Sequence, residues 1–221
     1  LYLVKATPSQ SIKFDTVQKL FSKVGKKVNL IESFLSDSEN EFCDLSFGSQ
    51  FMWREEFICD YAIFNDTLII KESCPFYKDY FYYPIGKDVD GAIKEIENYC
   101  LENGLLLNFC CIDNFHASLL SKRYSKTKIE NDRNWSDYIY DAQSFCSFKG
   151  KKYSGQRNHI NKFKKLYPNY VFREIKKEDV KRLKEFLKLF EKENDFSSWT
   201  AREEEDRIAE YLDCFFELNG Q

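Results

Sequence analysis

An α/β fold of the α+β kind, with a mixed sheet flanked by helices, is what this sequence predicts, and three observations predict it. "DYAIFNDTLIIK", Asp60 to Lys71, holds two apolar runs around Asn65-Asp66, a strong hairpin signal. "DVDGAIKEIENYCLENG" then reads as a helix, with Ile93, Ile96 and Cys100 on one face and Gly104 as its stop. "LLLNFCCI" follows at once as a buried strand, and strand–helix–strand order implies that part of the sheet is parallel.

The remaining elements fit around these. "FDTVQKLFSKVG" predicts an amphipathic helix, with Val17, Leu20, Phe21 and Val24 at helical spacing. "DLSFGSQFMWREEF" predicts a short helix capped by Asp44. "YFYYPIG" reads as a strand ending at Pro84, "NFHASLLSKRY" as a short helix and "DYIYD" as a strand. A helix from Gln156 to Tyr167 is stopped by Pro168. "YVFREI" is expected as a strand, followed by a long helix packing through Val180, Leu183, Leu187 and Phe190. The last helix opens on a capping box of Thr200 and Glu203 and closes near Gly220.

Composition narrows the class. The 221 residues are 43% hydrophobic and 17% aromatic, ample for a core, so a disordered chain is excluded. The bias to Phe, Tyr, Lys and Asn suggests an AT-rich bacterial genome. No apolar run approaches the ~20 residues of a membrane helix. The start, "LYLVKATPSQ", has neither an initiator Met nor a signal-peptide core and is expected to be a truncation. Eight cysteines occur without a C-x-x-C pair, and His116 and His159 lie outside ligand spacing. The thiols read as reduced and structural in a cytoplasmic protein, with no metal.

The charge distribution is uneven. The chain is net −3, yet from Ala142 to Arg173 there is no Asp or Glu. That window holds Lys149, Lys151, Lys152, Arg157, Lys162, Lys164, Lys165 and Arg173, interleaved with Gly150, Gly155, Asn158 and Asn161. Three readings compete. A charge run is most often a solvated surface. Glycines beside a helix start also suit a phosphate site, with Lys151, Lys152 and Arg157 supplying charge. The same cations could meet nucleic-acid phosphates while Tyr153 stacks on a base. The apolar stripe of Ile160, Phe163 and Tyr167 should be buried, with Arg157 lining a cleft, because unpaired buried cations are costly.

"DYIYDAQSFCSFKGKKYSGQRNHINKFKKLYPNYVFREI" resembles the central signature of the phosphatidylglycerol lysyltransferase C-terminal-type domains. The matching positions are Asp137, Tyr138, Tyr140, Gly150, Lys151, Lys152, Tyr153, Arg157, Asn158, Ile160 and Phe163. "FGSQFMWREEF", "LIIKE", "FYYPIGKD" and "IENYCLENG" extend the likeness over about residues 42–175. The resemblance implies two tandem acyltransferase folds of the GNAT type: 1–148 as the first, 149–168 as a basic bridge, and 169–221 as an incomplete start of the second. It implies transfer of an acyl or aminoacyl group, with aminoacyl-tRNA or another phosphate-rich ligand held by Lys151, Lys152, Tyr153, Arg157, Asn158 and Asn161. A non-catalytic nucleic-acid or phosphate-binding module and an acetyl-CoA-dependent N-acetyltransferase are the alternatives. Where GNAT enzymes place a pyrophosphate turn, this chain has "YPIGKDVDGAI", whose Asp88 and Asp90 disfavour coenzyme A, so no cofactor is expected.

No catalytic residue is assigned. Asp44, Glu55 and Glu56 read as a solvated surface, His116 as a helix-surface or core histidine, and Trp53 and Trp135 as core or interface aromatics. Aminoacyl-ester transfer rests on positioning and electrostatics, so it does not demand a nucleophile.

Overall fold

The computed structural model describes residues 12–16, 26–36, 42–54, 57–73, 78–133, 136–194 and 199–216. Two compact units divide the chain: 1–130 with 184–221, and 131–183. The sequence positions 148 and 168 both fall within the second of these.

The first unit is built on the hairpin. Strands β2 (Ile58–Phe64) and β3 (Thr67–Ser73) pair antiparallel, and Asn65 and Asp66 turn between them at φ 45° and 55°. Two successive positive φ values define the tight turn whose twist matches its strands, which is why Asn-Asp works there. The short β1 (Asp15–Thr16) adds to β2, while β4 (Tyr80–Phe81) and β5 (Ile85–Gly86) both pair antiparallel with β3. The strand expected to end at Pro84 stops at Phe81, and a second short strand follows the proline, which lacks a ladder donor. Asp15–Thr16 are strand rather than the opening of a helix, and the rest of that expected helix lies outside the described residues.

The anticipated parallel element is reduced to one bridge. Phe81 N–H donates to Asn108 O and Cys110 N–H to Phe81 O, both at 2.9 Å, pairing Phe81 parallel with Phe109. Apart from it, the described pairings are antiparallel.

Helices cover both faces of this sheet. On one side, Cys59, Tyr61, Leu68, Ile70 and Tyr82 pack with Ile31 and Leu35 of α1 (Lys26–Ser36) and Phe51 of α2 (Phe47–Met52). On the other, Ala62, Ile69 and Phe81 pack with Ala92, Ile96 and Cys100 of α3 (Val89–Asn103). Burial on both faces explains why Thr67 to Lys71 are all buried and why "TLII" shows no polar alternation. The helix ends follow from the sequence: Asp88 accepts from Gly91 N–H at 3.0 Å, and Gly104 closes α3 at φ 65°. Ser46, not Asp44, caps α2 by accepting from Ser49 N–H at 3.1 Å.

Helix α4 (Asn114–Arg123) completes the central region of the first unit and is capped by Asp113. In the second unit α5 (Ala142–Ser147) and α6 (Ser154–Leu166) are the helices wholly within its bounds. The unit boundary falls inside α7 (Val180–Glu193), and α8 (Trp199–Cys214) belongs to the first unit. Because α8 begins at Trp199, Thr200 is helical and not its cap. The closure expected near Gly220 lies outside the described residues. Neither "DYIYD" nor "YVFREI" is a strand, since neither has a pairing partner among the described residues.

Candidate phosphate site

The cationic turn of the second unit is assembled from local rules. Asp141 caps α5 by accepting from Ser144 N–H at 2.7 Å. Phe148, in the left-handed conformation at φ 44°, ends that helix, and Gly150 reverses the chain at φ 93°. A 3-10 turn, Lys151–Tyr153, leads straight into α6. Neither the turn nor α6 has a side-chain cap on its first N–H groups. Two N–H groups of the turn are bonded to backbone, Tyr153 to Gly150 O at 3.4 Å and Ser154 to Lys151 O, and the positive end of the helix dipole lies at this turn.

The residues foreseen as ligands separate into two roles. Lys151, Lys152, Asn158 and Asn161 are exposed, and Lys152 Nζ lies 4.7 Å from the centre of the Tyr153 ring. Arg157 is half-buried and reaches back from α6, donating through Nη1 to Phe148 O and, at 2.8 Å, to Gly150 O. It clamps the turn, so one guanidinium amino group is spent on the backbone. The expected burial of the α6 stripe is not found: Ile160 is 38% and Phe163 48% exposed. Phe163 packs on Tyr167 and Tyr170 at 5.0 and 5.4 Å, all three rings belonging to exposed residues. The expected buried stripe beside a cleft therefore gives no support to a phosphate site, which favours the solvated-surface reading, and only the exposed lysines and the turn held by Arg157 remain in support of a site.

Other sequence candidates fall outside it. His116 sits in the first turn of α4, its Nδ1 2.8 Å from Asp113 Oδ2 and its ring 4.2 Å from that of Tyr83. Trp53 is half-buried against Phe57; Trp135, Glu55 and Glu56 lie outside the described residues. Cys59 and Cys100 are buried thiols, whereas Cys43 and Cys146 are exposed.

In the first unit, a cluster that sequence reading missed surrounds Glu72. Tyr82 Oη donates to Glu72 Oε2 at 2.5 Å, and Cys59 is the cross-strand partner of Glu72. Cys111 Sγ, at a left-handed φ of 49°, donates to Asp44 Oδ2 at 3.4 Å. Burial pushes the Glu72 carboxyl up, the Asp44 charge adds to this, and the Tyr82 hydrogen bond opposes it. Burial likewise raises the Tyr82 phenol and the Cys59 thiol, so both stay protonated.

A carboxyl whose folded pKa lies above its unfolded value stabilises fully below the unfolded pKa, and that contribution is lost as pH rises through the folded one. The Glu72→Gln variant should therefore lose less stability than the parent between acid and neutral pH. Urea midpoints at about pH 4.5 and 7.5 measure this; parallel pH profiles for the two proteins would contradict it.

The turn at Pro84–Asp88 is occupied by its own packing. Lys87 N–H donates to Asp66 O at 3.2 Å and Asp88 N–H to Thr67 Oγ1 at 2.7 Å. Amides that would face a pyrophosphate are thus bonded to the hairpin turn.

Against known proteins, the family described as "Phosphatidylglycerol lysyltransferase, C-terminal" matches residues 37–212. A crystal structure of a conserved protein of unknown function from Bacteroides thetaiotaomicron VPI-5482 is similar at 25% identity and a TM-score of 0.79. The match covers 94% of this chain and 69% of that one. No curated protein matches. Among the described residues, no helix is long and apolar enough to cross a membrane.

Proposed function

This chain belongs to the phosphatidylglycerol lysyltransferase C-terminal family, and from that premise we propose that it is an acyltransferase taking its group from aminoacyl-tRNA. Its lysyltransferase-like domain would hold the phosphates of the donor on the turn of Lys151 and Lys152, flanked by Asn158 and Asn161. The observation that carries this reading is the exposure of both lysines on the turn that opens α6, within 32 residues free of acid. An incidental solvated surface would not need the turn to be clamped by Arg157 through two carbonyls. Coenzyme A is a poorer fit as donor, because the Lys87 and Asp88 amides are already bonded.

Binding of aminoacyl-tRNA, followed against salt, tests the reading. Each phosphate contact contributes a slope of about 0.7 to 0.9 in log K against log salt. A Lys151→Ala/Lys152→Ala variant should bind at least about tenfold more weakly at low salt, with the slope reduced by roughly 1.4 to 1.8. Adding Arg157→Ala should remove most of the remaining affinity. The double variant isolates charge, because both lysines are exposed whereas Arg157 also supports the turn. Unchanged affinity and slope would defeat the assignment, and micromolar binding of coenzyme A by calorimetry would favour acetyl transfer instead.

A further inference from the structure

The second unit carries a row of rings that the phosphate site does not use. Tyr138 and Tyr140 lie 6.4 Å apart with their planes within 18° of parallel. Tyr140 touches Phe145 at 4.6 Å, Phe145 touches Phe148 at 5.3 Å, and Phe148 touches Tyr153 at 5.5 Å. Lys152 lies over the last ring of the series. The row thus runs unbroken from Tyr138 to the cationic turn. It is open to solvent at its far end: Tyr138 is 82%, Tyr140 60% and Phe145 43% exposed.

Leaving such large rings in water forgoes their burial, which makes a contiguous exposed array a mark of contact with something else. The array is graded. Its outer end presents exposed phenol rings, while at its inner end Lys152 lies over Tyr153, with Lys149 and Lys151 adjacent in sequence. Asp137 and Asp141 bracket the two tyrosines, and Asp141 is committed to capping α5. Phosphates are therefore favoured at the lysine end and uncharged flat groups at the tyrosine end. We propose that this row is a stacking platform for the bases of an unpaired RNA segment whose backbone runs onto Lys151 and Lys152. Every base has a π-face, and a backbone-tracking line of cations beside aromatic rings is how unpaired strands are held. A duplex, its bases already stacked and its edges in grooves, would not gain from the rings. This inference rests on the reading of the basic turn as a phosphate site, and it adds the side chains that would hold bases.

The test uses the 221-residue chain with two labelled probes: an unpaired oligonucleotide of about ten residues, and an abasic ribose-phosphate chain of equal length. The oligonucleotide should bind about 10- to 100-fold more tightly than the abasic chain. Tyr138→Ala/Tyr140→Ala should abolish that advantage without changing the salt slope, and Tyr138→Phe/Tyr140→Phe should restore it. Lys151→Ala/Lys152→Ala should weaken both probes and flatten the slope. If the lysine variant weakens both probes while the tyrosine variant weakens neither, the platform is wrong and the phosphate site stands. If neither variant matters, or neither probe binds, both readings fall. Binding to anionic vesicles that depends on the tyrosines, with equal affinity for the two RNA probes, would overturn the proposal in favour of a membrane contact.

Discussion

Gly86→Ala is expected to destabilise the first unit by about 2 to 5 kcal/mol, combining backbone strain with overpacking. Gly86 has φ +149°, and a Cβ there would lie 2.2 Å from Asp66 O and 2.5 Å from Thr67 Cα. Both obstacles are backbone, so no side chain can swing aside. The pairing of Thr67 with Gly86 and Leu68 with Ile85 would have to open, moving the start of α3 with it through Asp88 N–H and Thr67 Oγ1. Gly104→Ala is the matched control. Its φ is +65° but nothing lies within 4 Å of the added carbon, so only the left-handed penalty of about 1 to 2 kcal/mol applies. Urea unfolding of the two variants measures the difference. Equal midpoints would show that the close approach at Gly86 is unimportant.

Arg54→Ala should cost about 2 to 4 kcal/mol, less than the upper limit for a fully buried ion pair because its partner is partly in water. Arg54 is 7% exposed. Its Nη1 donates to Phe51 O at 2.6 Å, its Nη2 lies 2.5 Å from Glu210 Oε2, and its guanidinium lies 4.1 Å from the Phe51 ring. One side chain thus ends α2 and holds α8. Removing it leaves Phe51 O without that donor and a void beside the ring. Glu210, at 46% side-chain exposure and also bonded to Arg207, can relax toward solvent. Glu210→Gln should therefore be the milder change. Hydrogen exchange should show α8 amides released well before those of β2 and β3 in the Arg54 variant. Uniform loss of protection across the unit would refute a local tie.

The elements legible in the sequence were those fixed by neighbours along the chain. Once Asn65-Asp66 is the turn, each β2–β3 pair follows by counting outward, Cys59 opposite Glu72 included. Asp88 and Gly104 likewise bound α3 by capping chemistry alone. What failed depended on distant partners. Ile31 and Leu35 of α1 show helical spacing, but it is the sheet, α2 and, from far along the chain, Tyr211 of α8 that give that face a place to go. "YVFREI" has strand composition yet no pairing strand among the described residues, and Phe172 is 95% exposed. At the site, the cations and Gly150 were readable because charge and positive φ are local properties. Arg157's turn toward carbonyls behind it was not, nor was the row from Tyr138 to Tyr153, which depends on a helix folding back between two stretches of loop.

Helix α8 carries a consequence for synthesis on the ribosome. Its Tyr211 ring packs 5.6 Å from Phe51, and Leu212 and Phe215 are buried, although α1, α2 and the hairpin precede it by well over a hundred residues. In sequence, residues 131–183 separate the two segments of the first unit. A nascent chain can close its hairpin early, since that contact is local, but the face holding Ile31, Phe51 and Cys59 stays partly uncovered until α8 emerges. Throughout that interval the apolar face is open to chaperones or to another nascent chain, and a pause in translation between residues 131 and 199 prolongs the exposure.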